Sequence, residues 1–228
     1  MGGLMRSNRR KAMCALVCTA VLPLGACGSE TVEPVAESEV EAGAPLPVIP
    51  VVPLADENFR PAAPEGSDPA TGFEFASGVL PFAQYDPLGF DAALFDPQLE
   101  ITPEEYQAAG LPVPQERTPE IEAIMDGARI ATIFFEDQLN FALQIGTMAM
   151  SREVYETIWG ALPEHRSEVL PSAYAVAKSE GECTAYVDTA RGTLFAGVIE
   201  LTGDLGQAGL CDRAFGVLER LYLAHPAN

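Results

Sequence analysis

The sequence is poor in positive charge. Its 228 residues contain 13 Lys and Arg against 33 Asp and Glu, which gives a formal net charge of −20. A protein that binds nucleic acid needs a basic patch that neutralises phosphates and releases their counterions. The composition therefore argues against nucleic acid as a partner.

The chain also lacks the motifs that carry common enzyme chemistry. It has no Gly-x-Ser-x-Gly elbow, no Gly-rich phosphate loop, no His-Glu-x-x-His and no Cys-x-x-Cys. With 2 His, a His-rich zinc site is excluded. His165 lies in a polar Glu-His-Arg turn, and His225 falls in the last turn of a predicted helix. No catalytic residue, metal ligand or cofactor is predicted.

One acidic pair keeps catalysis open as an alternative. Glu136 and Asp137 lie inside an apolar segment, where burial shifts carboxyl pKa values. The other interpretation is that they face solvent or pair with an arginine such as Arg129.

A hydrophobic run long enough to span a membrane is missing at the N-terminus. The apolar segment from Ala12 to Leu24 has 13 residues and follows four basic residues, as in an export signal. It ends in Leu24-Gly25-Ala26-Cys27. This ending resembles the lipobox of bacterial lipoproteins, in which an aliphatic residue and two small residues precede a cysteine.

The lipoprotein resemblance implies a location. Residues 1–26 would be removed as a signal peptide, and Cys27 would carry diacylglycerol and an acyl chain such as palmitate. Gly28 and Ser29 follow, without the Asp that retains many lipoproteins at the inner membrane. The resemblance therefore implies a cell-envelope protein, lipid-anchored in the outer membrane and facing the periplasm, whose membrane contact is its lipid anchor.

Cysteine is scarce, and its distribution fits export. Of 5 Cys, Cys14 and Cys18 lie in the signal and Cys27 is the lipidation site. Cys183 and Cys211 remain, and an even pair in an oxidising compartment predicts a disulfide. The alternative is two buried free thiols.

Residues 27–70 are predicted to be the lipidated cysteine followed by a disordered, acidic, Pro-rich tether. From residue 28 to residue 70 there are eight Pro, nine acidic residues and one basic residue. Such a composition does not bury enough apolar surface to offset its ordering entropy. The apolar strip from Pro45 to Leu54 is interpreted as a stiff spacer, or as a segment that docks on a partner or on the domain itself.

Residues 71–117 are predicted to be an aromatic-rich connector that packs on the domain. Four of its aromatic residues are the candidate contacts for a protein partner: Phe82, Tyr85, Phe90 and Phe95. Asp and Thr before Pro, as in Asp96-Pro97 and Thr102-Pro103, predict helix starts. Binding of a cation by the Asp residues is a weaker alternative, because their spacing does not fit a calcium loop.

Residues 118–228 are predicted to be a globular α+β domain. Apolar residues recur at three- and four-residue steps from Ile121 to Ile145, which favours a central helix. The β-branched stretch from Ile130 to Phe135 leaves a strand open. We further predict a helix from Ser151 to Trp159 and one or two short helices from Pro163 to Lys178.

The C-terminal third contains the clear β signal. Two strands, residues 183–188 and 193–201, are separated by four residues that include Gly192, which predicts a hairpin. An amphipathic helix from Leu210 to Tyr222 closes the chain. The predicted fold class is thus α+β: a mainly helical body with one β-hairpin and a C-terminal amphipathic helix.

These features predict a non-enzymatic envelope lipoprotein whose acidic periplasmic domain binds a protein or an envelope component. Two alternatives stay open. One is a hydrolase of envelope polymers, either degenerate or using Glu136 and Asp137. The other is a small-ligand carrier built on apolar residues at helical spacing, including Phe134, Phe141, Met148 and Met150.

Overall fold

The computed structural model describes residues 50–56, 59–62, 71–86, 93–118, 127–135 and 140–224. All of them belong to one compact unit that extends from Ala44 to Asn228. Several predictions lie outside the described residues: the signal peptide, Cys27, the tether before residue 50, Phe90, Glu136, Asp137 and His225.

The described residues form seven strands and four helices. The strands are β1 (Gly72–Phe75), β2 (Gly78–Pro81), β3 (Ala128–Ile133), β4 (Phe141–Met148), β5 (Tyr174–Ser179), β6 (Glu182–Thr189) and β7 (Gly192–Glu200). The helices are α1 (Pro97–Glu100), α2 (Pro103–Ala108), α3 (Arg152–Trp159) and α4 (Gly206–Leu223). The prediction of a mainly helical body is therefore wrong, because strands form most of the regular structure.

A five-stranded antiparallel sheet organises the domain. Its order is β3-β4-β7-β6-β5, and β1 and β2 form a separate antiparallel hairpin. Helix α4 packs across β6 and β7 on one face of the sheet. The core between them is apolar and fully buried, as Leu143, Val198 and Phe215 illustrate. Among the described helices, none combines the length and the apolar character needed to cross a bilayer.

The predicted central helix from residue 121 to residue 145 is replaced by strands in its described part. β3 and β4 pair in register from Ala128 and Met148 to Ile133 and Leu143. β4 lies between two strands, with Phe141, Leu143 and Ile145 buried on one side. The small or apolar residues Ala142 and Met148 on the other, partly buried side obscure the two-residue alternation. The same residues therefore also match a helical spacing. The strand alternative for Ile130 to Phe135 is the one observed.

The predicted short helices from Pro163 to Lys178 are also wrong. This stretch ends in β5, which pairs with β6 at the edge of the sheet. Ala173 and Ala175 are good helix formers and favour a helix locally. Pairing with β6 and burial of both alanines override that preference.

Other local predictions are confirmed. Asp96 caps α1 by accepting a hydrogen bond from the Gln98 amide, and Thr102 forms a capping box with Glu105 at the start of α2. Helix α3 begins after Ser151 and ends at Gly160. The hairpin of β6 and β7 and the C-terminal helix α4 lie where the sequence predicts them. Cys183 of β6 and Cys211 of α4 form the predicted disulfide.

Part of the predicted tether belongs to the folded domain. Residues 50–56 and 59–62, here called the anchoring strap, pack on the outer side of α4, and Leu54 and Phe59 are fully buried. Arg213 and Arg220 of α4 donate to the backbone carbonyls of Leu54 and Phe59 at 2.5 and 2.7 Å. A Cβ atom on Gly216 would lie 2.9 Å from the Phe59 ring, so the strap approaches α4 closely. The packed chain therefore begins before residue 70.

The connector packs on the domain through its aromatic residues. Phe73, Phe75 and Phe95 are buried in the main core, and the rings of Phe75 and Phe95 stack at 5.2 Å. Arg191, in the turn between β6 and β7, donates to Glu100 at 2.5 and 2.8 Å and so fixes α1 to the sheet.

Candidate binding cleft

A cleft of about 240 Å³ opens at the β5 edge of the sheet, between α3 and the segment from residue 161 to residue 166. We call it the α3 cleft. Its lining residues are Arg152, Glu156, Ala161, Leu162, Pro163, His165, Arg166, Pro171, Ala173, Tyr174 and Ala175. The lining thus combines two arginines and a histidine with small apolar side chains.

The first wall of the cleft is α3. Its cap residue, Ser151, makes no side-chain cap hydrogen bond. The positive charge of Arg152, the first residue of α3, lies near the Asp188 carboxylate of β6 and opposes the rise of the Asp188 pKa. The Arg152 side chain folds back over the cleft: its guanidinium lies 4.6 Å from the centre of the Tyr174 ring, and its Nε donates to Glu156 at 2.6 Å.

The second wall is the segment from residue 161 to residue 166. The Leu162 amide donates to the Ala175 carbonyl at 3.0 Å, so the segment is held against β5. The Arg166 side chain donates through Nε to the Pro163 carbonyl at 2.9 Å, and the Arg166 carbonyl accepts from Arg60 of the anchoring strap at 2.5 Å. The wall is therefore fixed from both ends.

A partly buried carboxylate, Asp188, lies behind Tyr174 of the cleft. Asp188 accepts hydrogen bonds from the hydroxyls of Tyr174 at 3.3 Å and of Thr193 at 3.0 Å. Burial raises the pKa of Asp188, although these hydrogen bonds and Arg152 act in the opposite direction. Burial also raises the pKa of Tyr155 and of Tyr174, so both phenols stay protonated at neutral pH.

The hydroxyl of Tyr155 is buried and has no hydrogen-bond partner among the described residues. Its ring packs against Tyr186 at 4.2 Å and against Trp159 at 5.4 Å. This aromatic cluster packs between α3 and the sheet and includes Tyr174, which lines the cleft.

Three of the predicted partner contacts, Phe82, Tyr85 and Phe95, lie in the described residues, and they occupy different surroundings. Phe82 is half-buried, with its ring edge-on to Phe73 at 5.3 Å, and Phe95 is buried in the core. Tyr85 is half-buried and lines a separate hollow of about 370 Å³ with Gln84, Asp86 and Ser151. Of the described candidates, Phe82 and Tyr85 keep accessible surface, whereas Phe95 contributes to the core.

The helical core of the predicted small-ligand carrier is not observed. Phe141 and Met148 lie on strand β4 at its two ends, and Phe134, after β3, is 47% exposed. Phe141 is buried in the main core, whereas Met148 and Met150 pack against the smaller aromatic cluster of Tyr155 and Tyr186. These residues therefore do not line a common cavity.

Sequence reasoning missed the α3 cleft. It interprets His165 and its neighbours as a solvated turn, which is correct in that Arg166 is exposed, but it assigns no role to Arg152. The available signal is the occurrence of Arg152, His165 and Arg166 within fifteen residues of a strongly acidic chain. Their convergence depends on β5, which the sequence analysis predicts as helix.

Comparison with family models, curated proteins and solved structures gives no match to this chain. Within the described residues, no group of three or more His, Cys, Asp or Glu side chains is arranged to hold a metal ion.

Proposed function

We propose that this protein is a lipid-anchored component of the bacterial cell envelope whose acidic periplasmic domain binds a protein or an envelope component, without catalysis. The lipobox-like sequence ending at Cys27 supports the anchor and the location in the outer membrane. The α3 cleft supports the binding role.

The observation that carries the binding role is that the cleft is preformed. The Leu162 amide bonds to the Ala175 carbonyl and the Arg60 side chain bonds to the Arg166 carbonyl, so one wall is fixed. The other wall, α3, is held against the sheet by the packing of Tyr155 on Tyr186. A ligand that enters such a site loses little affinity to ordering of the protein. The accessible parts of Phe82 and Tyr85 offer a second contact region on the connector.

Co-purification of the full-length protein from its own membranes tests this proposal. We expect metabolic labelling with palmitate and recovery of one partner at a constant ratio after in vivo cross-linking and mild detergent extraction. Cys27→Ser abolishes the labelling, whereas Cys14→Ser, in the predicted signal peptide, leaves it unchanged.

Surface variants then locate the contact. We expect recovery of the partner to fall with Tyr85→Ala or with Arg166→Gln. The matched control is Val79→Ser, because Val79 is 61% exposed on β2 and lines neither hollow. An unlabelled protein that elutes as a clean monomer contradicts the proposal.

A further inference from the structure

We infer that the α3 cleft binds a small oxyanion-bearing ligand, such as the terminal carboxylate of a peptide, through Arg166 and Arg152. This inference rests on the proposed binding function and names the chemistry of the ligand. It is carried by the distribution of cations, by the shape of the cleft and by the way its walls are fixed.

The first observation concerns which exposed arginines have a carboxylate partner. Three arginines in the described residues are exposed: Arg129, Arg152 and Arg166. Arg129 lies 4.0 Å from a carboxylate oxygen of Asp96, and Arg152 lies 2.6 Å from one of Glu156. For Arg166, the described residues provide no carboxylate partner. Its Nε donates to the Pro163 carbonyl, and among the described residues no acceptor bonds to its two terminal nitrogens.

The second step is the local charge of the cleft. Its lining contains two arginines and a histidine against a single carboxylate, that of Glu156. Glu156 is already paired with Nε of Arg152, and among the described residues no acceptor bonds to the terminal nitrogens of Arg152. Asp188, which accepts from the Tyr174 hydroxyl, adds a second carboxylate below the lining. The cleft therefore attracts an anion through Arg166, the lining arginine without a carboxylate partner among the described residues, in a chain with a net charge of −20.

The third step is shape. A volume of about 240 Å³ is small for a drug-sized ligand but accommodates a carboxylate with a short side chain. Leu162, Pro163 and Pro171 add accessible apolar surface to the lining that contains the arginines. A guanidinium binds carboxylate or phosphate with two parallel hydrogen bonds, which a neutral amide does not reproduce.

Nuclear magnetic resonance of the full-length, isotope-labelled protein in mild detergent tests the inference. The probes are acetyl-alanine, its neutral amide, and inorganic phosphate. We expect acetyl-alanine to produce saturable shifts in the guanidinium signals of Arg152 and Arg166 and in the ring signals of His165. The amide is expected to produce none.

Phosphate distinguishes the source of the oxyanion. If phosphate shifts the same signals and acetyl-alanine competes with it, the shared oxyanion chemistry is supported. The tighter of the two probes then identifies the ligand as a carboxylate or as a phosphate.

Substitution localises the effect. Arg166→Gln is expected to weaken binding about tenfold or more, because a charge-assisted hydrogen-bonded pair is lost. Arg129→Gln removes the same charge outside the cleft and is expected to leave the affinity unchanged. If Arg166→Gln is not folded, Arg152→Gln provides the same comparison.

Three results overturn the inference: no saturable shift with either anion, equal shifts with acetyl-alanine and its amide, or equal loss of affinity in the Arg129 and Arg166 variants. Failure here is distinguishable from failure of the proposed function, because the titration needs no envelope partner. An intact cleft without a partner in the membrane contradicts the proposed function alone.

Discussion

Glu219 joins three separate parts of the chain. It is fully buried in α4, accepts from Arg60 of the anchoring strap at 2.8 and 3.0 Å, and accepts from the Ser167 hydroxyl at 2.6 Å. Ser167 in turn accepts from the Leu170 amide at 2.7 Å and so holds the chain that leads into β5. A buried carboxylate with these partners is costly to disrupt, since each partner then loses its acceptor.

Replacement of Glu219 tests this role. Glu219→Gln removes the charge that pairs with Arg60, and we expect the free energy of unfolding to fall by about 3 kcal/mol. Urea denaturation monitored by circular dichroism measures the change. Glu156→Gln makes the same chemical change in the exposed Arg152 pair and is expected to cost about 0.5 kcal/mol or less. Equal losses of unfolding free energy in the two variants would show that the buried Glu219 pair is no more stabilising than the exposed pair.

At the same scale, the sequence reveals the chemistry of a residue but not its partner. Arg60 is recognisable as the lone basic residue of the predicted tether, yet its partner Glu219 lies 159 residues away. The disulfide is predictable because few cysteines remain after the signal and the lipobox are removed. The carboxylate that accepts from Arg60 cannot be found by elimination in this way, because the sequence contains 33 acidic residues.

At the scale of the elements, β4 and β7 lie at the centre of the sheet, and their close packing requires a small residue at one position of β4. Gly146 of β4 lies opposite Phe195 of β7. A Cβ atom at Gly146 would lie 2.6 Å from the Arg129 carbonyl oxygen and 2.6 Å from the Phe195 ring. The backbone contact cannot relax without a shift of β3 against β4.

Gly146→Ala therefore overpacks the sheet. We expect a loss of about 1–3 kcal/mol in the free energy of unfolding, measured by thermal or urea denaturation. Gly197→Ala is the matched control, because Gly197 lies on the neighbouring strand and its Cβ atom would meet only the Thr184 side chain, at 3.3 Å. A loss at Gly197 as large as that at Gly146 would contradict this explanation.

The elements that the sequence predicts correctly are those with a local signal. Asp96-Pro97 and Thr102-Pro103 specify helix starts, and Gly192 marks the turn of the β6–β7 hairpin. β4 and β5 are mispredicted because their identity depends on strands distant in sequence. The α3 cleft is built on β5, so a sequence analysis that predicts β5 as a helix does not predict the cleft.

At the scale of the whole molecule, the anchoring strap is the folded segment that the average composition of the predicted tether does not reveal. The predicted tether is acidic and Pro-rich on average, but that average conceals Leu54 and Phe59, which are both fully buried. Burial of two such side chains contributes on the order of 5 kcal/mol. A domain of this kind has a total stability of about 5–15 kcal/mol, so loss of the strap is severe.

Two deletions separate the strap from the tether. Removal of residues 28–43 is expected to leave the midpoint of urea unfolding unchanged, because the compact unit begins at Ala44. Removal of residues 28–62 also deletes the strap and exposes the outer side of α4, so we expect a protein that is largely unfolded or strongly destabilised. Hydrogen exchange of α4 measures the difference. Equal protection in both deletions would show that the strap is dispensable.

The strap also determines where mechanical tension enters the domain. In the proposed lipoprotein, a pull between the lipid anchor and a bound partner reaches the domain at the strap, where Arg60 is connected both to Glu219 and to the carbonyl of Arg166. The contacts of Val52 with Gly110 and of Leu54 with Arg213 would be loaded first, and those of Arg60, which are shared with one wall of the α3 cleft, would follow. Detachment of the strap would free one end of that wall, while the Leu162 bond to Ala175 holds the other end and the Cys183–Cys211 bond keeps α4 attached to β6, so tension would alter the cleft before the sheet itself unfolds.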